Sequence, residues 1–363
     1  MQNNLKIKLK NKLIKIGFII IYLIINNLAL ADCLISDNFA NREEVKKFMY
    51  YMHTKHNFNL QQLEDLFKNY TCNQNVLNKI SNPSEKLSWR KYKQLLISKD
   101  RIDKGKKFLI KYKDVLLKAE KKFMVPKEII AAILGVESFY GERSGNIPVM
   151  ESLATLSFDY PARKKFFTQE LEQFLLLVKE EKLVPNQILG SYAGAMSPAQ
   201  FISSSYRNYA VDFANIGSKD LNNMHNAIGS VANYLYQHGW AKNQPIAVVA
   251  NMPVNHKNNK DYKNYAKYIN QDLASPKPKH LLKQLQALGI KSKIFNQLSN
   301  DLLNKQVALI ELDNDNNNNN NDNEQSKEYW LGFNNFYVIT RYNHSINYAM
   351  AIYQLAVNLG LKI

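Results

Sequence analysis

The residues Leu134-Gly135-Val136-Glu137-Ser138-Phe139-Tyr140-Gly141 set one carboxylate between an apolar run and an aromatic pair. Low-dielectric surroundings penalise the charged form of a carboxyl and raise its pKa. A carboxyl poised near neutrality suits general acid catalysis. The plain alternative is a helix-end glutamate whose head reaches water, the usual fate of glutamate.

Two further segments offer chemistry. Gly190-Ser191-Tyr192-Ala193-Gly194-Ala195-Met196-Ser197-Pro198-Ala199-Gln200-Phe201 is rich in small residues, which let a backbone approach a ligand or another element closely. Gln200 brings both a donor and an acceptor, suited to sugar hydroxyls and N-acetyl amides; a tight packing turn is the competing reading. Ile339-Thr340-Arg341-Tyr342-Asn343-His344-Ser345-Ile346-Asn347-Tyr348 alternates polar groups with aromatics. Aromatic faces can carry sugar rings, or Tyr342 and Tyr348 can pack in the core. No His-Glu-x-x-His and no Gly-x-Ser-x-Gly occurs, so neither a metal-protease helix nor a serine-hydrolase elbow is present.

Helices must position these groups. Val45, Phe48, Met49 and Met52 recur at helical spacing, and the pattern continues through Phe58, Leu60, Leu63, Leu66 and Phe67. Phe108 to Phe123 reads as one amphipathic helix with lysines outward. Pro126 stands where a helix can begin, and Ile129 to Val136 is almost wholly apolar, a buried helix ending at Glu137. The region of Ala154, Phe166 to Val178 and Ala227 to Tyr236 are further helices. After Trp240 the texture changes. Ile246 to Ala250 and Val307 to Leu312 read as short strands, Leu281 to Leu288 and Ile294 to Leu303 as helical pieces, and Trp330 to Ile339 as strand again. Asp313 to Gln325 is an Asn/Asp tract with nothing to bury, a flexible loop between strands. Tyr348 to Leu361 closes the chain as an apolar helix.

The expected fold class is mainly α (α+β), with five consecutive parts. Residues 1–31 are a signal peptide, with Lys6, Lys8, Lys10, Lys12 and Lys15 before an apolar stretch and Ala29-Leu30-Ala31 at its end. Residues 32–105 form an N-terminal helical subdomain, 106–242 the core bearing Glu137, 243–337 a small mixed subdomain, and 338–363 a return to the core. Cys33 gives Leu30-Ala31-Asp32-Cys33 the outline of a lipoprotein site, but Asp32 sits where a small residue is needed, so a soluble exported chain is expected. Cys33 and Cys72 would then lie in an oxidising compartment, where a disulfide is permitted and two free thiols remain the alternative.

Apolar residues make up 45% and charged residues 22%, which excludes a disordered chain. The net charge is +17; removing residues 1–31, with five lysines and no acids, leaves +12. A basic exported protein suits a polyanionic partner, and export argues against nucleic acid.

Together the three segments resemble the lytic murein transglycosylase B family, whose core is lysozyme-like. The resemblance runs from about Val45 to the C-terminus, with the Asn/Asp tract as an insertion. It implies a periplasmic enzyme, expected as a monomer, acting on peptidoglycan glycan strands, with peripheral association with the cell envelope. By this resemblance Glu137 is the catalytic acid/base, and Arg163, Ser191, Gln200, Phe201, Tyr234, Tyr342, Asn343 and Tyr348 are substrate contacts. The implied reaction is non-hydrolytic cleavage of the MurNAc–GlcNAc β-1,4 bond, leaving 1,6-anhydro-MurNAc ends. A lysozyme-type muramidase would need a second carboxylate, for which Glu142 and Asp159 are nearby in sequence; a non-catalytic peptidoglycan-binding protein would need none. Two departures stand out. Ala162 precedes Arg163 where the family has an arginine pair after Tyr-Pro. The loop Asp212, Ala214, Ile216, Gly217, Ser218 and Asp220 resembles a calcium loop of some members but lacks side-chain oxygens at 214 and 216. No cofactor and no bound metal are therefore expected.

Overall fold

The computed structural model describes residues 33, 37–81, 87–252, 275–296, 303–314 and 327–362. The leader expected over 1–31, and the Asn/Asp tract beyond Asn314, lie outside them. In chain order the helices are α1 (Glu43–His56), α2 (Leu60–Lys68), α3 (Gln74–Ser81), α4 (Trp89–Leu96), α5 (Lys99–Lys111), α6 (Lys113–Phe123), α7 (Lys127–Ser138), α8 (Val149–Asp159), α9 (Lys164–Glu180), α10 (Ser203–Tyr209), α11 (Met224–Gln237), α12 (Leu282–Ala287), α13 (Asn334–Tyr342) and α14 (Ile346–Asn358). The strands are β1 (Ile147–Pro148), β2 (Leu189–Gly190), β3 (Ala247–Ala250), β4 (His280–Leu281), β5 (Gln306–Asp313) and β6 (Lys327–Gly332). The fold is mainly helical with two small sheets, in line with the class expected from the sequence.

The chain forms two compact units, each discontinuous in sequence. The first takes the residues up to 83 together with Ile147–Gly194. Here α8 and α9 pack together and the short pair β1–β2 runs antiparallel. Its centre is aromatic: Phe48 meets Phe67 and Phe158 edge-on at 6.2 and 6.1 Å. Arg42 reaches into it and places one guanidinium nitrogen 2.8 Å from both Asp159 oxygens, over the ring of Phe39. Cys33 and Cys72 are joined as a disulfide.

The second unit is Ser84–Asn146 with Ala195–Ile363. The boundary expected at residue 105 falls inside α5. In this unit α7 is the central helix: Ile129, Ile130, Ala131, Ala132, Ile133 and Leu134 are all fully buried. A helix apolar all round must be covered on every side, and α5, α6, α11 and α14 pack against it. The sheet, ordered β3-β6-β5-β4 and antiparallel throughout, buries its apolar face on α12 and Phe333.

Two elements depart from the sequence reading. Phe108 to Phe123 is two helices, not one, because Tyr112 leaves helical geometry at φ −108°, ψ 26°; its ring packs tilted against Phe108 at 4.7 Å. Trp330 to Ile339 is strand only as far as Gly332, and from Asn334 it is α13. Val338, Ile339 and Thr340 favour strand by their β-branching, but tertiary packing overrides that weak preference. Asn335 fixes the switch: its buried amide donates to the carbonyls of Ala241 and Gln244 and accepts from the Ala241 N–H.

Candidate active site

Glu137 sits in the last turn of α7. The helix ends on three successive left-handed residues, Phe139 (φ 53°), Tyr140 (φ 63°) and Gly141 (φ 94°). Two of these are bulky aromatics, for which this region is costly, and such strain persists only where the surroundings fix it. They do so here. The Ser138 hydroxyl donates to the Leu134 carbonyl and accepts from the Gly141 N–H at 2.9 Å. The Tyr140 hydroxyl donates to the Arg101 carbonyl at 3.0 Å, and the Arg101 Nε donates back to the Gly135 carbonyl at 3.0 Å. Gly105 and Gly135 leave room for the Tyr140 ring, since a Cβ at either would lie within 2.6 Å of its hydroxyl oxygen. The carboxylate is thus held on a rigid helix end.

Its surroundings are aromatic hydroxyls. Tyr348, in the first turn of α14, donates to Glu137 Oε1 at 2.6 Å. Ser345 sets that turn by capping α14, its Oγ accepting from the Tyr348 N–H. Tyr342 donates to the Ala199 carbonyl at 2.6 Å, and Tyr234 donates to the Arg341 carbonyl. The Tyr234 and Tyr342 rings meet at 4.8 Å. Tyr342 and Tyr348 are both held far above the ordinary tyrosine pKa by burial and by the neighbouring Glu137 charge, so both stay protonated donors.

Burial raises the Glu137 carboxyl from 4.5 to about 7, and the Tyr348 hydrogen bond only partly opposes it. No second carboxylate figures among these influences. Glu142 is paired with Lys104, and Asp159 belongs to the first unit, bound to Arg42. The residue keeps partial solvent contact, as a group that must meet a substrate requires.

The turn 196–201 forms the floor of this cluster. Met196 and Phe201 pair through their backbones, and the Gln200 amide donates to the Ser144 and Ser197 carbonyls. Ser197 (φ 66°) and Gln200 (φ 50°) are both left-handed. The structure therefore brings together Glu137, Gln200, Phe201, Tyr234, Tyr342 and Tyr348, with Asn343 at the end of α13. Phe201 differs from the expectation that it meets substrate: it is 2% exposed and supports the rings of Tyr234 and Tyr342 from beneath. Arg163 and Ser191 belong to the first unit, where the Arg163 guanidinium lies over Phe166. Two residues escaped the sequence reading. Arg101 left no signal, since a lysine-rich helix hides one inward arginine. Tyr92, buried on α4 and close enough to raise the Tyr348 hydroxyl, follows Trp89 by three residues, a spacing that could have marked an inward face.

The loop after Asp212 is closed by hydrogen bonds of its own. Both Asp212 oxygens accept backbone N–H groups, from Ile216 at 3.0 Å and Gly217 at 2.7 Å. Buried Asn226 fills the interior: its oxygen accepts from the Phe213 and Ala214 N–H groups, and its nitrogen donates to the Ser218 and Asp220 carbonyls. Among the described residues no three His, Cys, Asp or Glu side chains converge as metal ligands.

Residues 40–357 match the family described as transglycosylase SLT domain. The chain is 36% identical over 337 residues to membrane-bound lytic murein transglycosylase B of Escherichia coli K12, covering 89% of this chain and 84% of that protein. It is similar to the crystal structure of catenated lytic transglycosylase SltB1 from Pseudomonas aeruginosa, at TM-score 0.76 and 38% identity, over 89% of this chain and 98% of that one. It is also similar to the Escherichia coli lytic transglycosylase Slt35 in complex with calcium, at TM-score 0.75 and 36% identity, over 90% and 96% of the two chains.

Proposed function

The chain belongs to the transglycosylase SLT domain family, and on that premise we propose that it is a peptidoglycan lytic transglycosylase working with a single acid/base, Glu137. It cleaves the β-1,4 bond between N-acetylmuramic acid and N-acetylglucosamine. The observation that carries this reading is one carboxyl at the end of a buried helix, bonded to the Tyr348 hydroxyl at 2.6 Å and with no carboxylate partner among the described residues.

The chemistry follows from that isolation. Protonated Glu137 gives its proton to the glycosidic oxygen as the C1–O bond breaks, freeing the 4-hydroxyl of the departing N-acetylglucosamine. The resulting carboxylate then takes the proton of the muramic C6 hydroxyl, whose oxygen closes onto C1. The product is a 1,6-anhydro ring, no water is consumed, and Glu137 ends protonated, ready for another cycle. Double-displacement and water-activating glycosidases need a second carboxylate; here the substrate supplies the nucleophile. Tyr348 steadies the carboxylate in the half-cycle where it is charged, since hydrogen bonds to ionised groups are the stronger kind. Tyr234, Tyr342, Gln200 and Asn343 shape the cleft around the sugars.

The enzyme acts at the cell envelope, in the periplasm, as a monomer. It needs no calcium, because Asn226 stands in for the ion. Mass spectrometry of digested peptidoglycan tests the reaction. Anhydro ends, lighter by one water than reducing ends, are expected; reducing ends would make the protein a muramidase, and no cleavage would make it a binding protein.

A further inference from the structure

Most of the net positive charge of the chain beyond residue 31 falls on one stretch. Residues 90–127 hold fourteen Lys and Arg against four Asp and Glu, ten net charges of the twelve. This stretch is α4, α5, α6 and the first residue of α7. Arg101 points inward and Lys104 and Lys127 are ion-paired, but ten of the lysines are exposed. Among the described residues none of those ten is in an ion pair.

The placement is one-sided. On α5 the buried positions are Arg101, Gly105 and Phe108, and the exposed ones include Lys106, Lys107 and Lys111. On α6 the buried positions are Leu116, Ala119 and Phe123, and the exposed ones include Lys113, Lys118 and Lys121. The inward faces meet α7, so the lysines stand on the outward faces of α5 and α6. Large apolar side chains stand among these lysines: Ile110 is 77% exposed and Leu117 42%. They follow Lys107 and Lys113 by three and four residues and so share their helix faces.

We infer that the α5–α6 face docks on an anionic phospholipid bilayer. Lysines near such a surface are attracted by its negative potential. The apolar pair decides between partners. A hydrated anionic glycan offers hydrocarbon nothing, whereas the headgroup–acyl boundary takes up Ile and Leu at the centre of a basic face. Among the described residues no helix is long and apolar enough to cross a membrane, so this contact is peripheral. Glu137 is bonded to Tyr348 of α14 and to none of these lysines, so the docking face and the acid use different side chains.

The test is sedimentation of the full chain with vesicles of phosphatidylcholine alone or mixed with phosphatidylglycerol, and with insoluble peptidoglycan. Binding is expected on the phosphatidylglycerol vesicles, released by salt, and absent on the neutral ones. Lys107→Glu, Lys113→Glu and Lys121→Glu together should weaken it by on the order of a hundredfold at low salt. Ile110→Ser with Leu117→Ser should weaken it about tenfold or more at unchanged charge. Turnover of soluble glycan fragments should match the unaltered enzyme in both variants, which reports that they are folded and separates this inference from the assignment of Glu137. Equal binding to both kinds of vesicle, or none, would overturn it. So would a serine pair without effect on vesicles, combined with loss of peptidoglycan binding in the glutamate variant; the face would then hold an anionic polymer.

Discussion

Replacing Glu137 by glutamine should remove activity and raise stability, and the second effect should depend on pH in a defined way. Glutamine keeps the shape of the side chain and can still accept the Tyr348 hydrogen bond, but it neither donates an acidic proton nor carries charge. Turnover should fall by at least about a hundredfold, the lower end for general acid–base catalysis. The stability change follows from linkage. The folded protein holds the Glu137 carboxyl at about 7 against 4.5 for an ordinary glutamate. Between those values the folded state keeps a proton that the unfolded state has lost, so stability falls as pH rises through this window and levels off above it. At about 1.4 kcal/mol per pKa unit the full shift is a ceiling of roughly 3 kcal/mol. Partial solvent contact of the residue reduces this, and about 1–3 kcal/mol is expected. Glutamine is free of that cost. The gain in Tm over the unaltered enzyme should therefore grow between about pH 5 and about pH 8, at about 2 °C per kcal/mol for a chain of this size. Thermal unfolding of both proteins across that range, with assays on purified peptidoglycan, measures both effects. A folded variant with near-normal turnover would refute the assignment of Glu137. A Tm difference that does not change with pH would refute the claim that its carboxyl is desolvated.

Tyr348→Phe removes the one hydrogen bond that lowers the Glu137 pKa; the alkaline limb of the rate profile should move to higher pH, and kcat should fall by about tenfold or more for a hydrogen bond to a charged group. A pH series of initial rates reads both. Cys72→Ser opens the Cys33–Cys72 bridge, with a sequence separation of 39, and should lower stability by roughly 3–4 kcal/mol in the chain-entropy description, seen as a lower denaturant midpoint. Millimolar calcium should leave Tm unchanged, because Asn226 already bridges the loop; a saturable rise with calcium that magnesium does not reproduce would overturn this. Asn226→Ala strips buried partners from two N–H groups and two carbonyls and should cost about 2–4 kcal/mol, measured by the same unfolding curves.

Local pattern carried much of this protein. The apolar run Ile129 to Val136 announced a buried helix with Glu137 at its end, and the family resemblance, not the run alone, gave that glutamate its role. The apolar pattern of Tyr348 to Leu361 marked the closing helix that bears Tyr348. These features are legible because helix periodicity acts over a few neighbouring residues. The tertiary structure decided what depends on distant partners. It turned Val338, Ile339 and Thr340 into helix, since Asn335 is anchored on Ala241 and Gln244 about ninety positions away. It gave Asp159 and Glu142 a cation each, Arg42 and Lys104. It carried Tyr348 across 211 positions to the acid and placed Arg101 beneath the helix end. It also filled the loop after Asp212 with the Asn226 amide. None of these has a periodic or local signature. Each is set by which long-range contact best satisfies a buried polar group, and chain spacing does not encode that choice.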